Sequence, residues 1–173
     1  MQINKGEAMN LHIGTKLVQS KPMSRADYNT YRGWTLPLDE NGNDDGYLVE
    51  YLDGGASNHP DHRGYISWSP KDVFDGAYQD ITKGISFGAA VEMAKLGHSI
   101  SRLGWNGAGM YAYIVPERLE KTCRQHCPEV PYVKHCAHWA LKTASGDIAT
   151  WTPSCSDSLA EDWCVVSQRA DKQ

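Results

Sequence analysis

At 173 residues the chain is long enough for one ordinary domain or two small ones, and its net charge of −4 is unevenly spread. Residues 1–82 carry 7 Lys and Arg against 12 Asp and Glu, and residues 83–173 carry 10 against 9; with no basic stripe in either half, a binder of long nucleic acid is excluded. No apolar run approaches a membrane span and no signal-peptide core opens the chain, so a protein free of the membrane and made in the cytoplasm is expected.

The opening Met1–Ala8 is polar and patternless, with Met9 an alternative start. Ser24 is placed to cap a short helix running through Tyr31. Two polar turn clusters follow, 41–46 and 53–60. They bracket a strand at Tyr47–Leu52, whose partner is expected at Tyr65–Trp68; Ser69-Pro70 then opens a second helix through Tyr78. Residues 79–84 read as a linker.

The second half opens on Ser86 as a helix cap. Phe87, Ala90, Val91 and Ala94 share one face of that helix, and Gly97 stands where a terminating glycine belongs. Strands are expected at His98–Leu103, Met110–Val115, His138–Thr143, Ile148–Trp151 and Trp163–Val166, with a tight turn at residues 144–147. Between them, Pro116–Lys134 reads as an inserted, charged, helix-like segment containing Pro128-Glu-Val-Pro131. The tail after Ser167 is expected to fray. The fold class is therefore α+β: short helices on small, mostly antiparallel sheets, in two small halves. The halves also echo one another: Arg32-Gly33-Trp34 parallels Leu103-Gly104-Trp105, and Trp68-Ser69-Pro70 parallels Trp151-Thr152-Pro153. Either a degenerate duplication or the chance recurrence of short strings accounts for that.

The chemistry concentrates between Gly104 and Trp163. Two indoles, Trp105 and Trp151, stand beside glycines, small hydroxyls and single carboxylates on short turns. Such a set suits a flat, polar, phosphate-bearing ligand: aromatic faces stack on bases, and glycine lets backbone N–H groups approach oxyanions. Any one of these indoles alone would read as core filler.

Ser86-Phe87, Gly104-Trp-Asn-Gly107, Trp151-Thr-Pro-Ser154, Asp157 and Ala160-Glu-Asp-Trp163, taken in that order, carry a resemblance. Residues 84–167 resemble the Thoeris anti-defence 2-like proteins of phages and prophages. Residues 9–80 look like a separate family of small phage and prophage proteins of unestablished role; the strings are Gly14-Thr-Lys-Leu17, Met23-Ser-Arg-Ala-Asp-Tyr28, Arg32-Gly-Trp34, Gly46-Tyr-Leu-Val-Glu-Tyr51 and Gly64-Tyr-Ile-Ser-Trp-Ser-Pro70. The first resemblance implies a sponge in the host bacterial cytoplasm. It binds a cyclic ADP-ribose-type immune signal without cleaving it, as a homo-oligomer, typically a tetramer; some relatives also hold cyclic dinucleotides. On that reading Trp105 and Trp151 stack on the base, and Asn106 and Asp157 bond base edges or ribose hydroxyls. Thr152, Ser154 and the backbone of Gly107 and Gly109 meet phosphate oxygens, and Arg102 is the nearest cation for the pyrophosphate or else an exposed strand charge. Phe87, Asp162 and Trp163 read as structural, and the insertion as reshaping the pocket mouth. No cofactor, catalytic residue or membrane partner is expected.

Other constellations are weaker. Cys123, Cys127, Cys136 and His138 offer four zinc ligands, but their spacing matches no common finger or ribbon. An odd count of five cysteines in a cytoplasmic chain favours free thiols. His59, Asp61 and His62 cluster in a turn-rich loop with no distant partner visible in the sequence. No nucleophile elbow, Cys–His pair or paired-His motif points to an enzyme. The competing class is a phage accessory module that docks a protein partner through its aromatics.

Overall fold

A computed structural model describes residues 11–121 and 132–166. The chain divides into two compact units, Met1–Tyr78 and Gln79–Gln173. No described helix is long and apolar enough to cross a membrane.

In the first unit, β1 (Val18–Pro22), β2 (Gly46–Tyr51) and β3 (Tyr65–Pro70) form an antiparallel sheet in the order β1-β2-β3. Helix α1 (Arg25–Arg32) is fixed at both ends by its own sequence. The Ser24 hydroxyl accepts the Asp27 N–H, and Gly33 ends the helix at φ 68°, a conformation glycine adopts without a Cβ penalty. Tyr28 of α1 packs with Leu48 and Ile66 of the sheet, flanked by Met23, Tyr31 and Trp68. Helix α2 (Lys71–Ala77) follows Pro70, whose fixed φ suits a helix start although it supplies no capping side chain. The sequence gives no alternation that marks β1; its residues are mostly exposed, and pairing with β2 from Val18↔Tyr51 to Pro22↔Tyr47 holds it in place.

The second unit sets α3 (Phe87–Lys95) against a five-stranded antiparallel sheet. Its strands are β4 (Ser99–Arg102), β5 (Tyr111–Val115), β8 (His138–Lys142), β9 (Ile148–Thr150) and β10 (Trp163–Val166), ordered β10-β4-β5-β8-β9. Ser86 caps α3 through the Ala89 N–H. Ala90, Met93 and Ala94 are buried on the helix, and Ile85, Ile100, Ala112, Ala140 and Trp163 are buried beside or within the sheet. The segment before α3 is drawn to the sheet edge, where Ile85 and Trp163 exchange both backbone hydrogen bonds, at 2.7 and 3.2 Å. A one-turn helix, α4 (Cys155–Ser158), leads into β10. The α+β class expected from the pattern is the architecture found.

One expectation needs correcting. The described parts of the insertion are not helical: β6 (Arg118–Lys121) pairs antiparallel with β7 (Tyr132–His135) as a separate ribbon. Arg-Leu-Glu-Lys favours a helix in isolation. Here Leu119 opposes Lys134 and Glu120 opposes Val133, and Glu120 pairs with His135 at 3.2 Å, so cross-strand partners outweigh that preference. The strings that echo between the halves occupy different structural settings. Gly33 caps a helix, whereas Gly104 follows a strand, and the two sheets differ in strand number and order.

Candidate functional site

The candidate residues come from three places in the second unit: the end of β4 and the turn after it (Arg102, Trp105, Asn106), the segment after β9 (Trp151, Thr152, Ser154), and α4 (Asp157). Tertiary structure gathers them around a cluster of indoles packed edge-to-face. Trp105 meets Trp151 edge-on at 5.8 Å between centroids and Trp163 at 5.4 Å; Trp151 meets Trp163 at 6.2 Å and Trp139 at 5.8 Å. Phe87 packs on Trp163 at 5.2 Å from the start of α3. Trp163 is fully buried, while Trp105, Trp139 and Trp151 are half-buried, so the cluster is anchored at one end and open at the other.

Asp157 is the hub beneath these rings, and it is the one buried charged residue among those described. One carboxylate oxygen accepts Arg102 Nη1 at 2.9 Å and Trp105 Nε1 at 3.2 Å. The other accepts the Ser154 N–H at 3.0 Å and the Ser154 hydroxyl at 2.7 Å. Its backbone N–H donates back to Ser154 Oγ, closing a reciprocal capping box on α4, and its carbonyl accepts Trp163 Nε1 at 3.0 Å. A carboxylate has about four lone-pair sites, and these four donors occupy them. Burial pushes the Asp157 carboxyl up, but the donors from Ser154, Arg102 and Trp105 outweigh it and hold the group at about 2.

Arg102 is similarly committed. Its Nε donates to Asp162 Oδ1 at 2.8 Å, and this partner with Asp157 raises the guanidinium further above its ordinary value. Arg102 in turn draws the Asp162 carboxyl below the usual range. Asp162 Oδ2 also accepts the Gly104 N–H at 2.8 Å, and a Cβ on Gly104 would lie 2.7 Å from that oxygen. Glycine before Trp105 therefore lets the loop close on Asp162.

The seven sequence candidates thus separate. Trp105 and Trp151 are brought into contact, with Asn106 and Thr152 exposed beside them. Arg102, Ser154 and Asp157 are joined to one another as the clamp that holds the two loops. Neither Arg102 as a free cation nor Asp157 as a free acceptor is what this geometry offers. The Ser154-x-x-Asp157 spacing is a capping-box signature legible in the sequence. Trp139 was not among the candidates; it lies on β8 with no local motif, and only the fold sets it against Trp151. A groove of about 230 Å³ lined by Gly97, His98, Ser99, Tyr111, Tyr113 and Ile114 contains none of the seven.

The four residues weighed as zinc ligands are only partly among the described ones. Cys123 and Cys127 lie outside the described residues; Cys136 is exposed, and His138 Nδ1 lies 3.0 Å from the Cys136 carbonyl. No group of three or more His, Cys, Asp or Glu side chains able to hold a metal occurs among the described residues.

Comparison with known proteins fits this half of the chain. Residues 85–166 match the family model of the Thoeris anti-defense 2-like domain. The chain is also similar to Thoeris anti-defense 2 of Bacillus phage SP01, 36% identical over 87 residues, a stretch that covers 48% of this chain and 96% of that protein.

Proposed function

The chain belongs to the Thoeris anti-defense 2-like family, and from that premise we propose that it counters Thoeris defence by binding and sequestering a cyclic ADP-ribose-type signalling nucleotide without cleaving it. The observation that carries this reading is the incomplete burial of Trp105 and Trp151, in contact with one another and next to the exposed Asn106 and Thr152. One indole face stacked on adenine contributes roughly 1–3 kcal/mol. Exposed amide and hydroxyl groups supply the polar contacts to ribose and phosphate. Arg102, Asp157, Asp162 and Ser154 act behind the rings, holding the two loops in register so that little ordering remains to be done on binding. The protein works as a homo-oligomer, in keeping with Leu103, Ile148 and Leu159 standing exposed around this unit.

Sequestration requires affinity below the signalling concentration, and nanomolar binding corresponds to about −12 kcal/mol. Isothermal titration of the purified chain with cyclic ADP-ribose isomers tests this. The expected result is tight binding, a raised melting midpoint, and ligand returned chemically intact after heat denaturation. Returned fragments would make the protein a hydrolase. Absence of any nucleotide response would favour a module that docks a protein partner, and a response to cyclic dinucleotides alone would change the ligand class.

A further inference from the structure

The indoles of the second unit do not use their N–H groups alike. Trp105 Nε1 donates to the Asp157 carboxylate at 3.2 Å, and Trp163 Nε1 donates to the Asp157 carbonyl at 3.0 Å. One residue thereby orients both rings from behind. Trp139 and Trp151 make no such bond: their Nε1–H groups meet no acceptor among the described residues. Neither is sealed in. Among the described residues, the buried side-chain nitrogen left without a partner is Arg32 Nη1 of the first unit, and both of these indoles are only half-buried. Each N–H is therefore open to a partner from solution.

Trp139 and Trp151 also stand side by side. Trp139 lies on β8, and its carbonyl accepts the Trp151 backbone N–H at 3.0 Å. Their rings meet edge to face at 5.8 Å and 87°. Phe87 lies 6.4 Å from the Trp139 ring, and Trp105 meets the Trp151 ring at 5.8 Å. Packing holds both indoles while leaving their polar edges unused.

A phosphate-bearing ligand needs donors, and the cation of this cluster is already committed. The three guanidinium nitrogens of Arg102 each donate to a carboxylate oxygen of Asp157 or Asp162, so two carboxylates offset its single charge. An indole N–H donates and cannot accept, so it selects atoms that offer lone pairs. A phosphate oxygen is such an atom, and a hydrogen bond to a charged acceptor is stronger than a neutral one. Neutral donors can hold an oxyanion without a cation, as backbone N–H groups do in anion-binding turns.

Resting on the nucleotide reading above, we propose that Trp139, with Trp151, touches the ligand directly, and that their indole N–H groups donate to its phosphate oxygens in place of a cation. Trp105, whose N–H is spent on Asp157, contributes its ring face alone.

Exchange of the six indole N–H protons with water, followed by proton–nitrogen NMR on the full chain, tests this. In the free protein the Trp105 and Trp163 protons should exchange slowly and the Trp139 and Trp151 protons fast. The cyclic ADP-ribose isomer that binds in calorimetry should slow the latter two. Adenosine, which has base and ribose but no phosphate, should not. Trp139→Phe keeps a ring and loses no internal hydrogen bond. It should weaken that isomer about 10–100-fold, with a smaller fall in unfolding midpoint than Trp105→Phe, whose N–H has a partner to lose. Trp139 and Trp151 protons already protected in the free chain, or still fast with the isomer bound, would overturn the proposal and leave nucleotide binding standing. Protection by adenosine would assign the two N–H groups to base or ribose and overturn it as well. If no nucleotide binds, the nucleotide reading falls and takes this proposal with it.

Discussion

Asp157 and Trp105 make opposite demands on the same site. If Asp157 reads ribose, its removal costs affinity and leaves the fold intact. The four donors on its carboxylate argue otherwise. Asp157→Ala would leave Arg102 paired with Asp162 but would take the acceptor from the Trp105 Nε1–H, the Ser154 N–H and one arm of Arg102; each buried donor left unsatisfied costs about 1–3 kcal/mol, so urea unfolding should show a large loss of stability. Loss of nucleotide affinity at unchanged unfolding midpoint would return Asp157 to the ligand. Truncating a packed indole costs about 3–5 kcal/mol, so Trp105→Ala confounds stacking with folding. Trp151→Phe and Trp105→Phe keep an aromatic face and are the sharper probes. Trp105→Phe also removes the Nε1–H donor to Asp157, and hydrogen bonds to charged groups contribute about 1.5–3 kcal/mol, so it should destabilise more than Trp151→Phe in the same urea series.

Elements respond to the same network through pH. Asp157 titrates at about 2 in the fold against an ordinary 3.8, so the folded state holds its proton less tightly than the unfolded chain does. The stabilisation is complete above the unfolded value and is lost as pH falls through the folded one. It amounts to about 2 kcal/mol at about 1.4 kcal/mol per decade. Unfolding followed between pH 5 and pH 2 should show that loss in the wild type, while Asp157→Asn should start lower and vary less. The β6–β7 ribbon gives a second prediction at this scale. It is inserted between β5 and β8, which pair directly from Tyr111↔Lys142 to Val115↔His138. Replacing residues 116–137 by an Asn-Gly turn should therefore leave the five-stranded sheet folded, as checked by circular dichroism and melting. Collapse of the sheet would show that the ribbon is part of its core.

At the scale of the whole molecule, the proposed nucleotide site uses only residues of the second unit. Residues 79–173 expressed alone should keep nucleotide affinity within a few fold of the full chain. Complete loss from a folded fragment would give the first unit a share in the site. Light scattering at micromolar concentration should find more than one chain per particle, and a monomer would sink the assembly proposal.

The sequence by itself determined the local features. Ser24 and Ser86 start helices because a short hydroxyl satisfies an orphan N–H, and Gly33 ends one because it lacks a Cβ. Short apolar-rich runs between turn signals marked five strands of the second sheet, and Gly104-Trp105 with Trp151 marked where the indoles would be. What only tertiary structure decided is which of those residues are left over for a ligand. Arg102 and Asp162 are 60 positions apart, and Tyr31 and His62 are 31 apart. No local pattern encodes such pairings, because they arise when strands and loops from distant parts of the chain share one face. The helix expected in the insertion failed for the same reason: propensity acts within a few residues, and a partner strand overrules it.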